Sequence, residues 1–244
     1  MLPIYKPHIP DSSIEYANDA IKSSWISSIG KYIDLATERL SEVSGCKYVV
    51  LTNNGTSATH LVTRTLKRYH SGVKRVLVPS ACYVAVYNSL LYDYDEFSWD
   101  IECVDLDENT WNMKVEQVKD GDAIFVVHNL GNIINVPELQ RRFNCPIIED
   151  NCEGLFGTYD GVHSGSKSLC SSLSFFGNKN ITCGEGGAFL TNDESMYKFA
   201  LKLRGQGQSE DKYIHNELGY NYRMTNIQAA ILLGQLECFD YIKE

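Results

Sequence analysis

Lys179 sits where the chain is best suited to chemistry. Its neighbourhood reads Ser174-Phe175-Phe176-Gly177-Asn178-Lys179-Asn180-Ile181-Thr182-Cys183-Gly184-Glu185-Gly186-Gly187. One lysine among small and glycine residues is poorly placed to pack a core and well placed to hold a cofactor. Upstream, Pro146-Ile147-Ile148-Glu149-Asp150 reads as a short apolar strand ending in a carboxylate. A lysine that can form a Schiff base, with an aspartate that can hold a pyridinium nitrogen, is the minimum apparatus for pyridoxal phosphate chemistry.

Other candidates carry weaker signals, each with a plain structural alternative. Gly55-Thr56-Ser57 is a glycine turn opening a helix, which presents free N–H groups to an anion such as a phosphate. The same residues also make an ordinary N-cap, and no Gly-Lys-Ser/Thr follows to make a Walker loop. Asp150 could equally cap a loop, and Lys179 could be a solvated loop lysine. Tyr83 can stack on a planar cofactor or serve as a core aromatic. Ser174 fits either a strand or a phosphate ligand.

These residues need elements to hold them. Ile14, Ala17, Ala20 and Ile21 recur at helical spacing behind Asp11-Ser12-Ser13, predicting a helix over residues 12–23, and a second is expected over 33–44. Lys47 to Leu51 reads as a buried strand ending at the Gly55 turn, with a helix from about Ala58 to Tyr69. The order then recurs: strands at 76–78, 101–104, 123–127 and 147–148, with helices around 84–91 and from Pro137. Alternating short apolar strands and helices argue for a mostly parallel sheet between helices. Ligands bind such sheets outside the carboxyl ends of the strands. Gly55 to Ser57, Pro79 to Tyr83, His128-Asn129 and Asp150 to Glu153 all fall at such ends, so they should share one rim.

Bulk properties narrow the function classes. With 244 residues the chain can bury a substantial core, and a formal charge of −9 argues against a general nucleic-acid surface. Cys46, Cys82, Cys103, Cys145, Cys152, Cys170, Cys183 and Cys238 form no CxxC pair and no zinc-ligand cluster. Free thiols in a reducing compartment are the plain interpretation. The stretch from Met1 to Pro7 lacks the apolar region of a signal peptide, and no apolar run is long enough for a bilayer. A cytoplasmic protein without nucleic-acid, membrane or metal partners is expected.

Taken together, Gly55-Thr56-Ser57, Glu149 to Gly154, Ser174 to Lys179 and Gly219-Tyr220-Asn221-Tyr222-Arg223-Met224 resemble the sugar aminotransferases of the DegT/DnrJ/EryC1/StrS family. Trp25 to Gly30 and Gln228-Ala229-Ala230 through Gln235-Leu236 continue the match from about Pro7 to the last residues. Gly177-Asn178-Lys179 with Gly184-Glu185-Gly186-Gly187, and Glu153 after Asp150, are most similar to the branch that aminates C4 of 4-keto-6-deoxy nucleotide sugars, the perosamine and viosamine synthases.

The resemblance implies an α/β, aspartate-aminotransferase-like large domain (pyridoxal phosphate fold type I) with a mostly parallel, seven-stranded mixed sheet between helices. It implies that Lys179 is the Schiff-base lysine and Asp150 the partner of the ring nitrogen. Tyr83 would stack on the ring, and Gly55, Thr56, Ser57 and Ser174 would hold the phosphate. Glu153 would stand near the 3-hydroxyl. Asn221 would reach the neighbouring subunit's cofactor in a homodimer with shared sites. L-glutamate and a nucleotide sugar are the implied substrates. Residues 1–30 would form an N-terminal segment near the active-site entrance and 31–244 the cofactor-binding domain, with the family's C-terminal small domain absent. Asn151-Cys152 departs from the two alanines common after the aspartate, and Ala81-Cys82-Tyr83 from the usual threonine-aromatic pair. A truncated non-catalytic remnant or partner of a full-length relative stays open. So does a pyridoxal phosphate- or pyridoxamine phosphate-dependent sugar dehydratase, although that branch has histidine where Lys179 stands.

Overall fold

Strands buried on both faces build the molecule around one sheet. In the computed structural model, which describes residues 5–93, 99–116, 118–119 and 121–243, the main strands are β1 (Tyr48–Thr52), β2 (Arg75–Pro79), β3 (Asp100–Val104), β4 (Asp122–Val127) and β5 (Ile147–Asp150). A small hairpin, β6 (Thr158–Tyr159) and β7 (Val162–His163), precedes β8 (Ser171–Ser174) and β9 (Gly187–Thr191). Met1 to Ile4 of the N-terminal reading and the terminal Glu244 lie outside the described residues.

The seven long strands form one sheet in the order β1-β9-β8-β5-β4-β2-β3. Neighbours pair in parallel from β8 through β5, β4 and β2 to β3, whereas β9 runs antiparallel to both β8 and β1. The expected mostly parallel mixed sheet is therefore present, with β9 as its reversed strand.

The pleat sends successive residues to opposite faces. Val49 and Leu51 join Ala188, Leu190 and Leu173 beneath helices α1 (Asp11–Lys22), α2 (Lys31–Ser44) and α7 (Asn226–Glu237). Val50, Phe189, Phe125, Val127 and Ile148 face the other way, toward α3 (Gly55–Tyr69), α4 (Ala85–Leu91) and α6 (Glu194–Arg204). Leu77, Ile124, Val126 and Ile147 pack against Val136 and Leu139 of α5 (Val136–Arg142). A last short helix, α8 (Phe239–Lys243), follows α7.

Two helices begin two or three residues earlier than the sequence predicts. Helix α3 starts at Gly55 rather than Ala58 because Asn54 is its N-cap, its side-chain oxygen accepting from the Ser57 amide at 2.8 Å. Helix α2 starts at Lys31 rather than Ile33, where buried Asn226 accepts from the Tyr32 amide at 3.0 Å. Within the N-terminal segment, α1 packs on α7: the Ser13 hydroxyl donates to the Ile231 carbonyl at 2.8 Å. Gly234 permits that approach, since a Cβ there would stand 2.4 Å from the Ser13 amide nitrogen.

Candidate active site

Because β1, β2, β4, β5 and β8 run in the same direction, their carboxyl ends open on one edge of the sheet. A cleft of about 600 Å³ lies there. It is lined by Asn54, Gly55 and Thr56 after β1, Cys82 and Tyr83 after β2, and His128 to Leu130 after β4. Asp150, Cys152 and Glu153 line it after β5, with Ser174, Phe176, Asn178, Lys179 and Glu185 from the end of β8 and the loop before β9.

The structure thus brings together Lys179, Asp150, Gly55, Thr56, Tyr83, Glu153 and Ser174. Ser57 stands behind the lining, buried with its amide held by Asn54. Asn221 is outside the lining and exposed, in an extended segment whose neighbour Tyr222 accepts at its carbonyl from the Asn53 amide at 2.9 Å.

Glycine is required where the turn meets β8. A Cβ on Gly55 would lie 2.7 Å from the Ser174 Cβ, and one on Gly187 would lie 2.4 Å from the Asn54 carbonyl oxygen. Those contacts set Ser174 directly beside the N-terminus of α3, so hydroxyls and free amides share one anion-attracting corner.

At the other wall, Lys179 Nζ lies 3.3 Å from Glu153 Oε1, and Glu153 Oε2 accepts from the Leu130 amide at 2.8 Å. Asp150 is only 6% exposed and accepts the Cys152 amide at 2.9 Å. Burial pushes its carboxyl above the ordinary carboxylate range; hydrogen bonds from the Cys152 thiol and amide and the Lys179 charge pull it back, while Glu153 pushes it up. The carboxylate therefore meets a cation in a site where its own charge is poorly solvated. Tyr83, 75% exposed, presents its ring at the mouth.

Beneath the cleft is a pair that sequence reasoning missed. His128 Nε2 lies 2.6 Å from Glu149 Oε2, and both side chains are buried. The Ile134 amide donates to His128 Nδ1 at 3.2 Å, so Nδ1 is the acceptor and Nε2 carries the hydrogen. Burial alone would raise Glu149, yet the His128 bond and the Gly165 amide hold it below the ordinary range. The signal was two consecutive acids at a strand end, since the pleat must turn Glu149 away from Asp150. Asn54, Cys152, Asn178 and Glu185 are further lining residues not singled out as site residues from sequence. Among the described residues, no group of His, Cys, Asp and Glu is arranged to hold a metal, and no helix is long and apolar enough to cross a membrane.

This sheet order, with a lysine loop facing a strand-end aspartate across one cleft, defines an aspartate-aminotransferase-like fold of type I. The chain belongs to the DegT/DnrJ/EryC1/StrS aminotransferase family, whose model matches residues 7–244. Among curated relatives, GDP-perosamine synthase of Escherichia coli O157:H7 is 38% identical over 248 residues, covering 98% of this chain and 66% of the relative. This chain therefore spans a little under two thirds of that relative's length. Among solved structures, E. coli GDP-4-keto-6-deoxy-D-mannose-3-dehydratase with bound hydrated pyridoxal phosphate superposes with a TM-score of 0.87 at 25% identity, covering 98% of this chain and 68% of that one. Helicobacter pylori PseC, an aminotransferase involved in pseudoaminic acid biosynthesis, gives a TM-score of 0.88 at 24% identity over 98% and 66% of the two chains. At that identity the likeness to PseC speaks for the fold alone.

Proposed function

We propose that the chain is a pyridoxal phosphate-dependent transaminase that passes the amino group of L-glutamate to C4 of a 4-keto-6-deoxy nucleotide sugar, as a homodimer with shared sites. The observation that carries this reading is the placement of Lys179 and the buried Asp150 on the walls of one cleft. Similarity to a perosamine synthase supports the sugar substrate. Lysine at position 179, where the dehydratase branch has histidine, favours transamination.

The residues present fit the cofactor. The corner of the cleft where Gly55, Thr56 and the first amides of α3 meet Ser174 suits a phosphate; Tyr83 and Asp150 suit an aromatic ring with a basic nitrogen. Bound there, pyridoxal phosphate supplies an aldehyde for exchange with amines and a ring that accepts the electron pair left at a deprotonated carbon. Lys179 would be the residue that holds the aldehyde, and its free amine would take the proton from the donor's Cα. Asp150, as a carboxylate, would face the ring nitrogen and keep it protonated. Glu153 orients the Lys179 amine through its 3.3 Å contact. Asn221, exposed between Tyr220 and Tyr222, whose rings stack on each other, serves the site of a second copy.

Incubation with pyridoxal phosphate, L-glutamate and a panel of 4-keto-6-deoxy nucleotide sugars tests the reading. A product carrying an amine in place of the ketone is expected by mass. A protein that stays colourless with added cofactor would instead favour a non-catalytic remnant.

A further inference from the structure

We infer that Glu153 is a positioning residue for the mouth of the cleft: one carboxylate oxygen holds the Lys179 amine and the other holds the turn that carries Leu130, so the turn senses whether the amine is in place. The inference goes beyond the transaminase reading and rests on it only for what draws the amine away.

The bridge can be followed from the lysine loop outward. Glu153 Oε1 lies 3.3 Å from Lys179 Nζ, and Oε2 accepts from the Leu130 amide at 2.8 Å. Leu130 lies in the turn after β4, whose next two amides bond within it. Gly131 donates to the His128 carbonyl at 3.1 Å and Asn132 to the Asn129 carbonyl at 3.0 Å. For Leu130, Glu153 supplies the acceptor from outside the turn.

The backbone there is one that leucine rarely adopts. Leu130 has a φ of +54° and Gly131 a φ of +80°. A left-handed leucine crowds its own Cβ and persists only where the surroundings impose it. The turn also packs on the backbone of Glu153, since a Cβ on Gly131 would stand 3.3 Å from the Glu153 carbonyl oxygen. The result is an apolar side chain, 78% exposed, lining the cleft. Asn129 Nδ2 donates to the Ala81 carbonyl at 3.3 Å, so the same turn braces the loop that carries Tyr83.

Counting acceptors shows why an acid is needed. Both contacts bring donors to Glu153, and a carboxylate accepts at each oxygen. A glutamine accepts at one end and turns its own N–H groups toward the other donor. With Lys179 present, that single acceptor goes to the cation, the stronger claimant, and the Leu130 amide is released. With Lys179 removed, the conflict ends and the glutamine oxygen returns to Leu130. Covalent engagement of the amine in the proposed reaction would likewise free Oε1. The Glu153 side chain, 38% exposed, could then swing toward water and loosen the turn.

The test follows exchange of the Leu130 amide by NMR in the cofactor-free protein, with the Val126 amide of β4 as the reference for global opening. E153A and E153Q should each quicken it about tenfold, as expected for losing one hydrogen bond to a charged group. K179A should quicken it about two- to fivefold, the scale of one partly exposed ion pair. In the K179A background, E153Q should then add nothing. Exchange at the wild-type rate in E153Q or in K179A overturns the inference, and so does an E153Q effect of equal size with and without Lys179. No cofactor is bound, so a chain that fails to bind pyridoxal phosphate would sink the transaminase reading and leave this result unaffected.

Discussion

In the proposed transamination a buried carboxylate and an amine across the cleft divide the work, and single substitutions separate their shares. Lys179→Ala should abolish the yellow colour that develops with pyridoxal phosphate and lower turnover by about 10²–10⁴-fold or more, the range for losing a positioned proton-transfer group. Retention of both colour and rate would remove Lys179 from its role. Asp150→Asn should still bind the cofactor but lose most of its rate, because a neutral amide cannot stabilise a protonated ring nitrogen; cofactor titration and steady-state rates give the two halves. His128→Ala acts differently, by removing a donor from the Glu149 carboxylate, which is 1% exposed and keeps the Gly165 amide. Leaving a buried group short of a hydrogen bond costs about 1–3 kcal/mol, so thermal or denaturant unfolding should register the loss. Much of this residue scale is legible in sequence, because Lys179, Asp150, Tyr83 and Ser174 sit at strand ends or in a glycine-flanked loop. The His128–Glu149 pair is not, since 21 residues separate its members and only the sheet order makes them neighbours.

At the scale of elements, α3 is held at both its start and its middle. Asn54→Ala removes the cap on the Ser57 amide and should cost about 1 kcal/mol in denaturant unfolding. Deeper along the helix, buried His60 contacts the Tyr222 hydroxyl at 3.0 Å and Asp93 Oδ2 at 2.8 Å, and Tyr220 donates to Asp93 Oδ1 at 3.2 Å. Arg64 joins Asp93 at 3.1 Å. This clamp ties the segment bearing Asn221 to the helix whose N-terminus faces the cleft. Burial holds His60 below its ordinary range, with Asp93 opposing that shift in part. The unfolded chain then binds the proton more tightly, so the clamp's contribution is complete above about pH 6.5 and is lost as pH falls through the lower folded value. His60→Gln should flatten that slope relative to wild type in unfolding measured from pH 7.5 to 5; equal slopes would remove the clamp as its source. Sequence reading finds the strands β1 to β5 but passes over β8 and β9; in β8, Ser171-Ser172-Leu173-Ser174 lacks the apolar content of a buried strand. Ser171 and Ser172 are buried because they bond to Gly165, Thr59 and Cys152 rather than to water.

For the whole molecule, the exposed Asn221 makes a prediction that no single chain can answer. Lys179→Ala and Asn221→Ala subunits, each inactive alone, should regain activity when unfolded together and reassembled, because a mixed dimer with shared sites keeps one site with both residues intact. Recovery is read from the transamination rate and the assembly from size-exclusion chromatography. No recovery in a verified mixed dimer would confine each site to one subunit.

The topology also dictates an order of events during synthesis. Among the described residues, β1 has β9 as its only neighbouring strand in the sheet, pairing Tyr48 with Thr191, and α1 rests on α7, with Ser13 bonded to a carbonyl 218 residues downstream. At ordinary translation speeds that interval is on the order of 10–45 s. Over that time helix α1 waits for α7, and strand β1, although flanked by α2 and α3, waits for β9. Helix α1 and strand β1 therefore belong among the last parts of the fold to close, and until then a nascent-chain chaperone has its longest opportunity to bind there.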